Sequence, residues 1–460
     1  MTPSHGSLSR RDFLAATGAA GAGLGFAAAT ATDATEPTGP ETEPGQQRVF
    51  GLSCPPMNKV RIGMIGVGGR GSSLLGNLLD IDQVEIKAVC DLVPDRVKRA
   101  QQQVVDKGQP EPAGYTKRET DYEQLCRRED LDLVYIATPW DWHVPMAVYA
   151  MNQGQHAAIE VPAAMTLDEC WQLVDTAERT RRHCLMLENC CYGEIELLVL
   201  RMAHQGVFGD LTHAEAGYLH EARDYLLRGA SDANWRRRFV STLDGNLYPT
   251  HGLGPVALYL DINAGDRFHY LVSMSSRELA LSQRRDALPA DDPRRRERFA
   301  CGDLNTTLIK TALGRTIMVQ YSMVQSRPYS RINLIAGTRG TFCDYPPRLH
   351  LDGQAAPSAD WITDLQPYHD RYGHPLWKQL QPQTRQSGGH GGMDYVMNWR
   401  LIQCLLEGLP LDLTVYDAAA WSSIVPLSIE SVSTGGAPVP VPDFTRGTWK
   451  RQTASALTRG

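Results

Sequence analysis

Short continuous apolar runs alternate with helical periodicity in the first half of the chain. KVRIGMIG (59–66) is such a run, SLLGNLLD (73–80) has apolar residues at helical spacing, and VEIKAVCD (84–91) is a second run that ends on an acid. Together they predict a β-α-β unit. Further strand-like runs follow at 114–116, 131–139 and 156–162. This alternation predicts an α/β domain, a doubly wound parallel sheet of the Rossmann type, over residues 58–185.

The pattern changes at about residue 210. Apolar and polar residues then alternate in runs separated by turn residues, at 212–221, 269–276, 305–323 and 330–344. Alternation of this kind is typical of antiparallel strands with one solvated face. Residues 186–460 are therefore predicted to form an α+β domain, a mostly antiparallel open sheet with helices on one face, followed by a C-terminal helix and tail.

The N-terminal region lacks a folded-domain pattern. SRRDFL (9–14) precedes an Ala/Gly-rich, weakly apolar stretch and the small-x-small sequence Ala-Thr-Ala at 29–31. This order predicts a twin-arginine signal peptide over residues 1–31 and a periplasmic or secreted mature protein; the alternative is a chance arginine pair in a disordered start. Residues 32–57 are rich in Pro, Thr, Glu and Gly, which predicts a linker that does not order itself.

Composition narrows the classes of function. A formal net charge of -6 over 460 residues offers no basic field for nucleic acid. Past the signal, no run reaches the roughly 18 apolar residues of a membrane-spanning helix, so stable membrane insertion is not expected. The ten cysteines show neither CxxC spacing nor a zinc-type Cys/His pattern. No metal site is predicted, and most cysteines are expected to be buried thiols, with disulfides left open.

The turn after the first predicted strand has the composition of a dinucleotide site. Gly66, Gly68 and Gly71 give G-x-G-x-x-G at the start of a helix. The backbone there can approach a pyrophosphate, and free N–H groups favour negative charge. Asp91 ends the next strand 20 residues after Gly71 and is followed by Leu92 instead of a basic residue. A carboxylate there can bind ribose hydroxyls, so NAD is the predicted cofactor; a glycine turn needed only for packing is the alternative.

Further candidate residues lie where predicted strands and loops end. WDWH (140–143) and Glu160 fall at the carboxyl edge of the predicted parallel sheet, where ligands bind, although packing or a solvated strand end would also explain them. His143 has the alternative role of a helix cap. His390 lies among four glycines, which leave its imidazole accessible to a ligand. The alternative is a surface loop without a function in the site. Asp394 could orient His390, but capping the helix that follows is its predicted role.

Four blocks resemble a known enzyme family. They are ATPWDWHVPMA (137–147), AIEVPAA (158–164), NLYPTHGLGPVA (246–257) and SGGHGGMDY (387–395). In this order they resemble glycoside hydrolase family 109, NAD-dependent α-N-acetylgalactosaminidases within the glucose-fructose oxidoreductase and inositol dehydrogenase (Gfo/Idh/MocA) superfamily. The resemblance covers nearly the whole predicted mature chain and implies a Rossmann domain followed by a sugar-binding sheet domain. Residues 230–245 depart from the family pattern, which bears on the sugar preference.

The resemblance implies two sets of binding residues. Besides the first two glycines and Asp91, the NAD contacts would be Arg70, Gly71, Trp140, Asp141, Trp142, His143, Glu160, Val161, Asn189 and Tyr248. The sugar contacts would be Tyr218, Arg236, Tyr248, Pro249, Thr250, His251 and Tyr329.

The resemblance also implies a mechanism that most glycosidases do not use. NAD+ would oxidise C3 of the sugar, the acidified C2 proton would be removed, the bond at C1 would break by elimination, water would add and C3 would be reduced again. There is no net redox change, and NAD stays tightly bound and is recycled. Proton transfer at C2 and C3 is assigned to His251 and Tyr248, since a tyrosine can act when its neighbours lower its pKa; the alternative is a packed tyrosine and a capping histidine in a loop. His390 is a further candidate acid or base, or an anchor for the sugar.

Val161 bears on the alternative functions. Sugar dehydrogenases of the superfamily commonly carry a proton-transferring lysine between the Glu and Pro that flank Val161, and valine has no ionisable group. This counts against the first alternative, an NAD(P)-dependent sugar oxidoreductase. A noncatalytic sugar-binding protein is the second. The expected partners are a small-molecule or glycan substrate and a second copy of the chain, docked through the exposed face of the sheet domain.

Overall fold

The computed structural model describes residues 46–229, 233–353, 360–387 and 389–458. The predicted signal peptide and residues 32–45 of the predicted linker lie outside the described residues. The described chain contains two β-sheets with helices packed against them.

The first sheet is parallel, with the strand order β3-β2-β1-β4-β5-β6. Its strands are β1 (Val60–Ile65), β2 (Val84–Cys90), β3 (Ala113–Tyr115), β4 (Leu133–Ile136), β5 (His156–Ile159) and β6 (Cys184–Met186). Its helices are α1 (Gly69–Leu79), α2 (Pro94–Asp106), α3 (Asp121–Cys126), α4 (His143–Asn152) and α5 (Leu167–Thr180). The order reverses at β1 and β4, where a doubly wound sheet opens its ligand crevice, so the predicted Rossmann sheet is confirmed. The predicted boundary between residues 185 and 186 falls inside β6.

Local sequence explains these elements. β4 and β5 are buried along their whole length because helices cover both faces of a parallel sheet. α5 begins with a capping box, in which the Thr166 hydroxyl accepts the Glu169 backbone N–H and the Glu169 carboxylate accepts the Thr166 N–H. Pro94 starts α2, where its missing N–H costs no helical hydrogen bond.

The second sheet has the strand order β13-β12-β11-β7-β10-β9-β8-β14. Its strands are β7 (Leu211–Leu219), β8 (Phe268–Ser275), β9 (Asn305–Thr311), β10 (Thr316–Ser322), β11 (Leu334–Gly337), β12 (Gly340–Cys343), β13 (Arg348–Leu351) and β14 (Val439–Pro440). Among these described strands β7 and β10 pair in parallel and the other neighbours are antiparallel. The mostly antiparallel second sheet is therefore confirmed.

The second half of the described chain also contains helices, some of which pack on this sheet. They are α6 (Glu194–His204), α7 (Arg223–Leu226), α8 (Ala233–Thr242), α9 (Thr250–Tyr259), α10 (Ala280–Asp286), α11 (Gln366–Tyr372), α12 (Pro375–Ser387), α13 (Met393–Glu407), α14 (Val415–Ser422) and α15 (Ile424–Ser433). α9 packs on β7 and α15 on β8. Ile309 pairs with Leu271 and Ile317 on the buried face, whereas the preceding residue, Leu308, is exposed on the other face.

Residues 46–57 differ from the unordered linker that their composition predicts. Val49 and Leu52 are buried. Phe50 stacks on Tyr416 of α14 with ring centroids 4.2 Å apart, and the Val49 N–H donates to the Tyr416 hydroxyl at 3.0 Å. The prediction was wrong here because three apolar side chains suffice to dock a segment that is too short to show periodicity.

The cysteines confirm the expectation of buried thiols. All ten are free, and nine are buried, with Cys54 half-buried. Loss of solvation raises the pKa of Cys90 to about 12, so this thiol stays protonated. Within the described ranges, no helix is both long and apolar enough to cross a membrane.

Candidate active site

The glycine turn between β1 and α1 leaves no room for side chains. Gly66 has φ +85°, and a Cβ there would lie 2.5 Å from the Ala137 carbonyl oxygen. A Cβ on Gly71 would lie 1.9 Å from the Gly66 carbonyl oxygen. Gly68 precedes α1, and no described side chain caps the helix there. The first N–H groups of α1 are therefore placed to bind an anion, as a dinucleotide pyrophosphate requires.

A cavity of 580 Å³ begins at this turn and follows the carboxyl ends of β1, β2, β4 and β5. Its walls include these predicted NAD contacts: Gly66, Gly68, Arg70, Asp91, Trp140, Trp142, His143, Glu160 and Val161. The volume lies in the range of roughly 300 to 1,000 Å³ that is usual for ligand sites. The open glycine turn and the cavity beside it fit a dinucleotide.

Asp91 is held rigidly in the wall of this cavity. Its Oδ2 accepts the Val67 N–H at 3.0 Å, and its Oδ1 accepts the Val93 N–H at 2.9 Å. Arg96 lies 3.7 Å from Oδ1 and also lines the cavity. The carboxylate is thus fixed at the end of β2, where the sequence pattern places a ribose ligand.

Residues of the WDWH segment either line the cavity or form an ion pair outside its wall. Trp140 and Trp142 line the cavity, and the Trp140 indole N–H donates to the Val161 carbonyl at 3.2 Å. Asp141 instead forms an ion pair with Arg238 of α8. Only part of the segment therefore meets the cavity wall directly.

His143 is buried between two loops of the first sheet. Its Nδ1 lies 2.8 Å from the Pro162 carbonyl oxygen and its Nε2 lies 2.9 Å from the Thr138 carbonyl oxygen. Burial lowers the pKa of this imidazole. His143 joins the loop after β4 to the loop after β5, so the alternative of a helix-capping histidine was wrong.

Arg70 connects the dinucleotide turn to the second half of the chain. Its Nε donates to Glu160 at 2.7 Å, and its Nη1 and Nη2 donate to the two oxygens of Asp394 at 2.7 and 3.0 Å. Asp394 also accepts the Asn189 side-chain amide at 2.7 Å and lies 2.8 Å from His390 Nδ1. His390 therefore belongs to the Arg70 side of the site.

Asp394 does not cap α13, contrary to the prediction. Gly392 occupies the capping position, without a side-chain cap, and the Asp394 carboxylate turns toward Arg70 instead. Burial opposes ionisation of Asp394, but hydrogen bonds from His390 and Arg70 hold its pKa well below the ordinary value. A charged guanidinium is a stronger partner than an exposed helix N–H, which explains the difference.

Tyr248 and His251 lie together at the start of α9. Pro249 precedes this helix and Thr250 opens it, and both are buried. The Tyr248 hydroxyl lies 3.5 Å from His251 Nε2, and His251 Nδ1 lies 2.7 Å from Glu188 Oε1. Tyrosine, histidine and glutamate thus form a continuous chain of polar groups.

Aromatic rings surround this chain of groups. The Tyr218 ring lies 4.7 Å from that of Tyr248 and 5.6 Å from that of His251, and Tyr329 contacts Tyr218 edge-on at 5.9 Å. The Arg236 guanidinium lies 4.9 Å from the centre of the Tyr248 ring. The structure therefore brings together the predicted sugar-binding residues.

A second cavity of 340 Å³ adjoins the cluster and is lined by Tyr218, His220, Tyr225 and Arg236 among others. Tyr225 and Arg236 also line the first cavity. The guanidinium of Arg236 packs 5.5 Å from the Trp140 ring. A ligand in the second cavity would therefore lie next to one in the first.

The expected lowering of the Tyr248 pKa was wrong. Burial raises the pKa of Tyr248 well above its ordinary value, and the positive charge of Arg236 only partly opposes this. The desolvation of a phenolate in an aromatic cluster outweighs one neighbouring cation. Tyr248 is therefore a neutral phenol at ordinary pH, able to donate a proton or pass one on.

Potential metal ligands also come together, although the sequence predicts no metal site. Among the described residues, two groups have ligand atoms within 4.8 Å of one another: Cys54, His156 and His183, and Glu188, Cys190 and His251. In the first group His156 Nδ1 accepts the His183 backbone N–H at 3.0 Å. In the second the Glu188–His251 hydrogen bond engages two of the three groups. The prediction of no metal stays a prediction.

Sequence comparisons identify the family. The family described as "Oxidoreductase family, NAD-binding Rossmann fold" matches residues 60–188, and "Glycosyl hydrolase 109, C-terminal domain" matches residues 192–451. A "Glycosyl hydrolase family 109 protein" of Solibacter usitatus is 49% identical over 445 residues, 96% of this chain and 98% of the relative. Its namesake from Shewanella putrefaciens is 47% identical over 449 residues, 96% and 97% of the two chains. The chain belongs to glycosyl hydrolase family 109.

Solved structures share the fold of this family 109 protein. Levoglucosan dehydrogenase in complex with NADH and levoglucosan has a TM-score of 0.66 at 19% identity, covering 84% of this chain and 100% of that one. An inositol dehydrogenase homologue from Azotobacter vinelandii, complexed with NAD+, has a TM-score of 0.61 at 19% identity, covering 85% and 100%. The predicted family and fold are confirmed, including an NAD-binding Rossmann domain.

One residue of this family 109 site is missing from the sequence prediction. Glu188 follows β6 at the same sheet edge as Glu160, and it contacts His251 directly. The rule that selected Glu160, an acid at the end of a parallel strand, would also have selected Glu188. The roles assigned to Tyr248, His251 and His390 stay predictions.

Proposed function

We propose that this family 109 protein hydrolyses terminal α-N-acetylgalactosaminides or related hexosides with a tightly bound NAD that is recycled. The supporting observation is the position of Tyr248 and His251. Tyr248 lies against Arg236, which lines both the dinucleotide cavity and the second cavity, and His251 is in reach of the Tyr248 hydroxyl. A sugar in the second cavity would then reach the cofactor and the proton-transfer groups together.

Bound NAD supplies reversible oxidation at C3 of the sugar. Arg236 is placed to bind the C3 oxygen, because its guanidinium lies against the Tyr248 and Trp140 rings and lines both cavities. Tyr248 passes the proton of the C3 hydroxyl to His251 Nε2, 3.5 Å away, and His251 releases that proton to solvent before the next step, so its Nε2 is again free to accept. Both side chains work on a substrate that Tyr218 and Tyr329 hold by ring contacts.

The cleavage step follows once C3 is a ketone. His251 takes the acidified C2 proton, the C–H electron pair forms the C1–C2 double bond, and the glycosidic oxygen leaves with the C1–O pair and picks up a proton. Water then adds across the double bond and restores C1 and C2. Val161 has no proton to exchange, so the work at C2 and C3 falls to Tyr248 and His251.

The test is hydrolysis of p-nitrophenyl α-N-acetylgalactosaminide in deuterated water. The expected result is p-nitrophenol release with deuterium at C2 of the product and no net change in NADH absorbance. Release without deuterium would rule out the elimination route. Accumulation of NADH with a free sugar would instead favour the NAD(P)-dependent sugar oxidoreductase, and binding without turnover would favour a noncatalytic sugar-binding protein. The His251→Gln variant is the matched control for background exchange.

We also propose export by the twin-arginine pathway, on the sequence of residues 9–14 and 29–31. A protein that folds and loads NAD before transport would keep its cofactor outside the cytoplasm, where recycling on the enzyme removes the need for a free pool. Replacing both Arg10 and Arg11 with Lys should retain the full-length chain in the cytoplasm. Unchanged export of that variant would refute the proposal.

We propose in addition that the outer face of the second sheet joins two copies of the chain. Tyr270, Met274 and Leu308 lie on this face and are 37%, 69% and 48% exposed. Met274 and Tyr270 alternate with Leu271, which faces the core, so the exposed set forms one apolar patch on β8 and β9.

A further inference from the structure

Glu188 is buried in full and yet charged. Its Oε1 lies 2.7 Å from His251 Nδ1 and also accepts the Cys190 backbone N–H at 3.2 Å. Burial would raise the pKa of this carboxyl, but electrostatic attraction to the His251 ring and the hydrogen bond with it hold the pKa below its ordinary value. A carboxylate has no proton to give, so the proton between the two groups belongs to His251 Nδ1.

Packing keeps this carboxylate in one place. Glu188 stands between β6 and a 3-10 turn at Asn189–Tyr192, so its backbone is fixed on both sides. On the facing helix α9, a Cβ added to Gly254 would lie only 2.9 Å from Glu188 Cγ. The glycine lets helix and glutamate approach closely, and the side chain has little room to swing away from His251.

The other imidazole nitrogen faces the cluster of rings. With Nδ1 protonated, a neutral His251 has its lone pair on Nε2, which points toward the Tyr248 hydroxyl at 3.5 Å. Other titratable or charged groups interact electrostatically with Glu188, Tyr248 or the neighbouring cysteines, among them Glu160, Cys191, Glu196, Tyr218, Arg236, Arg331 and Asp417. Glu188 is the carboxylate in direct contact with the imidazole.

We infer that Glu188 is a positioning residue that makes His251 Nε2 the proton acceptor of the reaction and stabilises the imidazolium. When the substrate proton moves to Nε2, its bonding electron pair stays on the sugar, the ring becomes positive and Glu188 remains a carboxylate. The proton leaves Nε2 later to the leaving oxygen or to solvent, which restores the neutral ring. This inference rests on the proposed function, since it assigns a role in the same proton transfers.

The test compares Glu188→Gln and Glu188→Asp with a matched control, Glu194→Gln, a similar change six residues away at an exposed position of α6. NMR of full-length chains carrying nitrogen-labelled histidine reports which ring nitrogen of His251 holds the proton, and the His251 signal is assigned with His251→Gln. Glutamine can either donate to Nδ1 or accept from it, so the proton of the neutral His251 ring should no longer be confined to Nδ1. The turnover number should fall about 100-fold or more with little change in KM.

Aspartate keeps the charge, so Glu188→Asp should restore part of both the Nδ1-protonated form of His251 and the turnover number. An unchanged position of the His251 ring proton in a folded Glu188→Gln protein overturns the inference, as does a loss of turnover that aspartate does not relieve. Thermal melting and retained NAD establish that the variants are folded. If the wild type hydrolyses no hexosaminide, the proposed function fails, while the NMR measurement still decides the contact between Glu188 and His251.

Discussion

Replacing Asp394 with Asn tests whether the Arg70 ion pair supports both the fold and the cofactor site. The Asp394 side chain is completely buried, and its carboxylate receives hydrogen bonds from both terminal nitrogens of Arg70. Removing one partner of a buried ion pair lowers the free energy of unfolding by about 3 to 5 kcal/mol. Arg70 keeps Glu160 as a second acceptor and is partly exposed, so the lower end, about 3 kcal/mol, is expected.

The stability difference should depend on pH in one direction. The folded protein holds the Asp394 pKa well below its ordinary value, so the carboxylate stabilises the fold above the pKa of the unfolded chain. That stabilisation is lost as pH falls toward the folded pKa, and Asn lacks it at every pH. The difference in free energy of unfolding between wild type and Asp394→Asn should therefore be largest at pH 7 and become smaller below about pH 4.

The assay is chemical denaturation at several pH values, together with the amount of NAD that each purified protein retains. Asp412→Asn is the matched control, because Asp412 also binds an arginine, Arg400, through two hydrogen bonds of 2.9 and 2.8 Å. Both variants should lose stability, and only Asp394→Asn should also bind NAD more weakly, by about tenfold, since Arg70 lines the cavity. Equal NAD retention in the two variants, or a gap that widens as pH falls, would refute the reasoning.

Three further predictions follow from single contacts. Gly71→Ala should abolish NAD retention, because its Cβ would lie 1.9 Å from a backbone oxygen. The control Gly76→Ala should retain NAD, because its Cβ would meet only the end of a glutamine side chain at 3.2 Å. Fluorescence titration with NAD distinguishes the two variants. Tyr248→Phe should lower turnover of the p-nitrophenyl glycoside about 100-fold or more and still bind NAD, which steady-state kinetics will show. If the proposed dimer forms, Leu308→Glu should be a monomer in light scattering, and Leu313→Glu, at an exposed turn, should have the mass of the unchanged protein.

The alternation of apolar runs predicted the first sheet because each β-α-β unit is local in sequence. Gly66, Gly68 and Asp91 were found for the same reason, since the chemistry of a dinucleotide turn is contained within one such unit. The second sheet was predicted only in outline. The parallel pairing of β7 with β10 joins residues about 100 positions apart, and no local pattern specifies that partner.

Asp394 shows where reasoning from neighbouring residues fails. Its place at the start of α13 made capping the natural prediction, because only residues close in sequence were in view. Arg70, its actual partner, lies 324 positions away. The pKa of Tyr248 was mispredicted in a related way, since the number of rings around a phenol depends on tertiary packing and the sequence shows only which residues are aromatic.

On the proposed mechanism, Glu188 and His251 do the work for which Val161 has no ionisable group. A lysine after Glu160 would extend from the end of β5, but Val161 is buried there and its carbonyl accepts the Trp140 indole. The end of the neighbouring strand β6 supplies Glu188 instead, and this carboxylate acts on the histidine of the facing helix. On the proposed mechanism the base is His251 of α9, positioned by Glu188 after β6, and no proton carrier is needed at the end of β5.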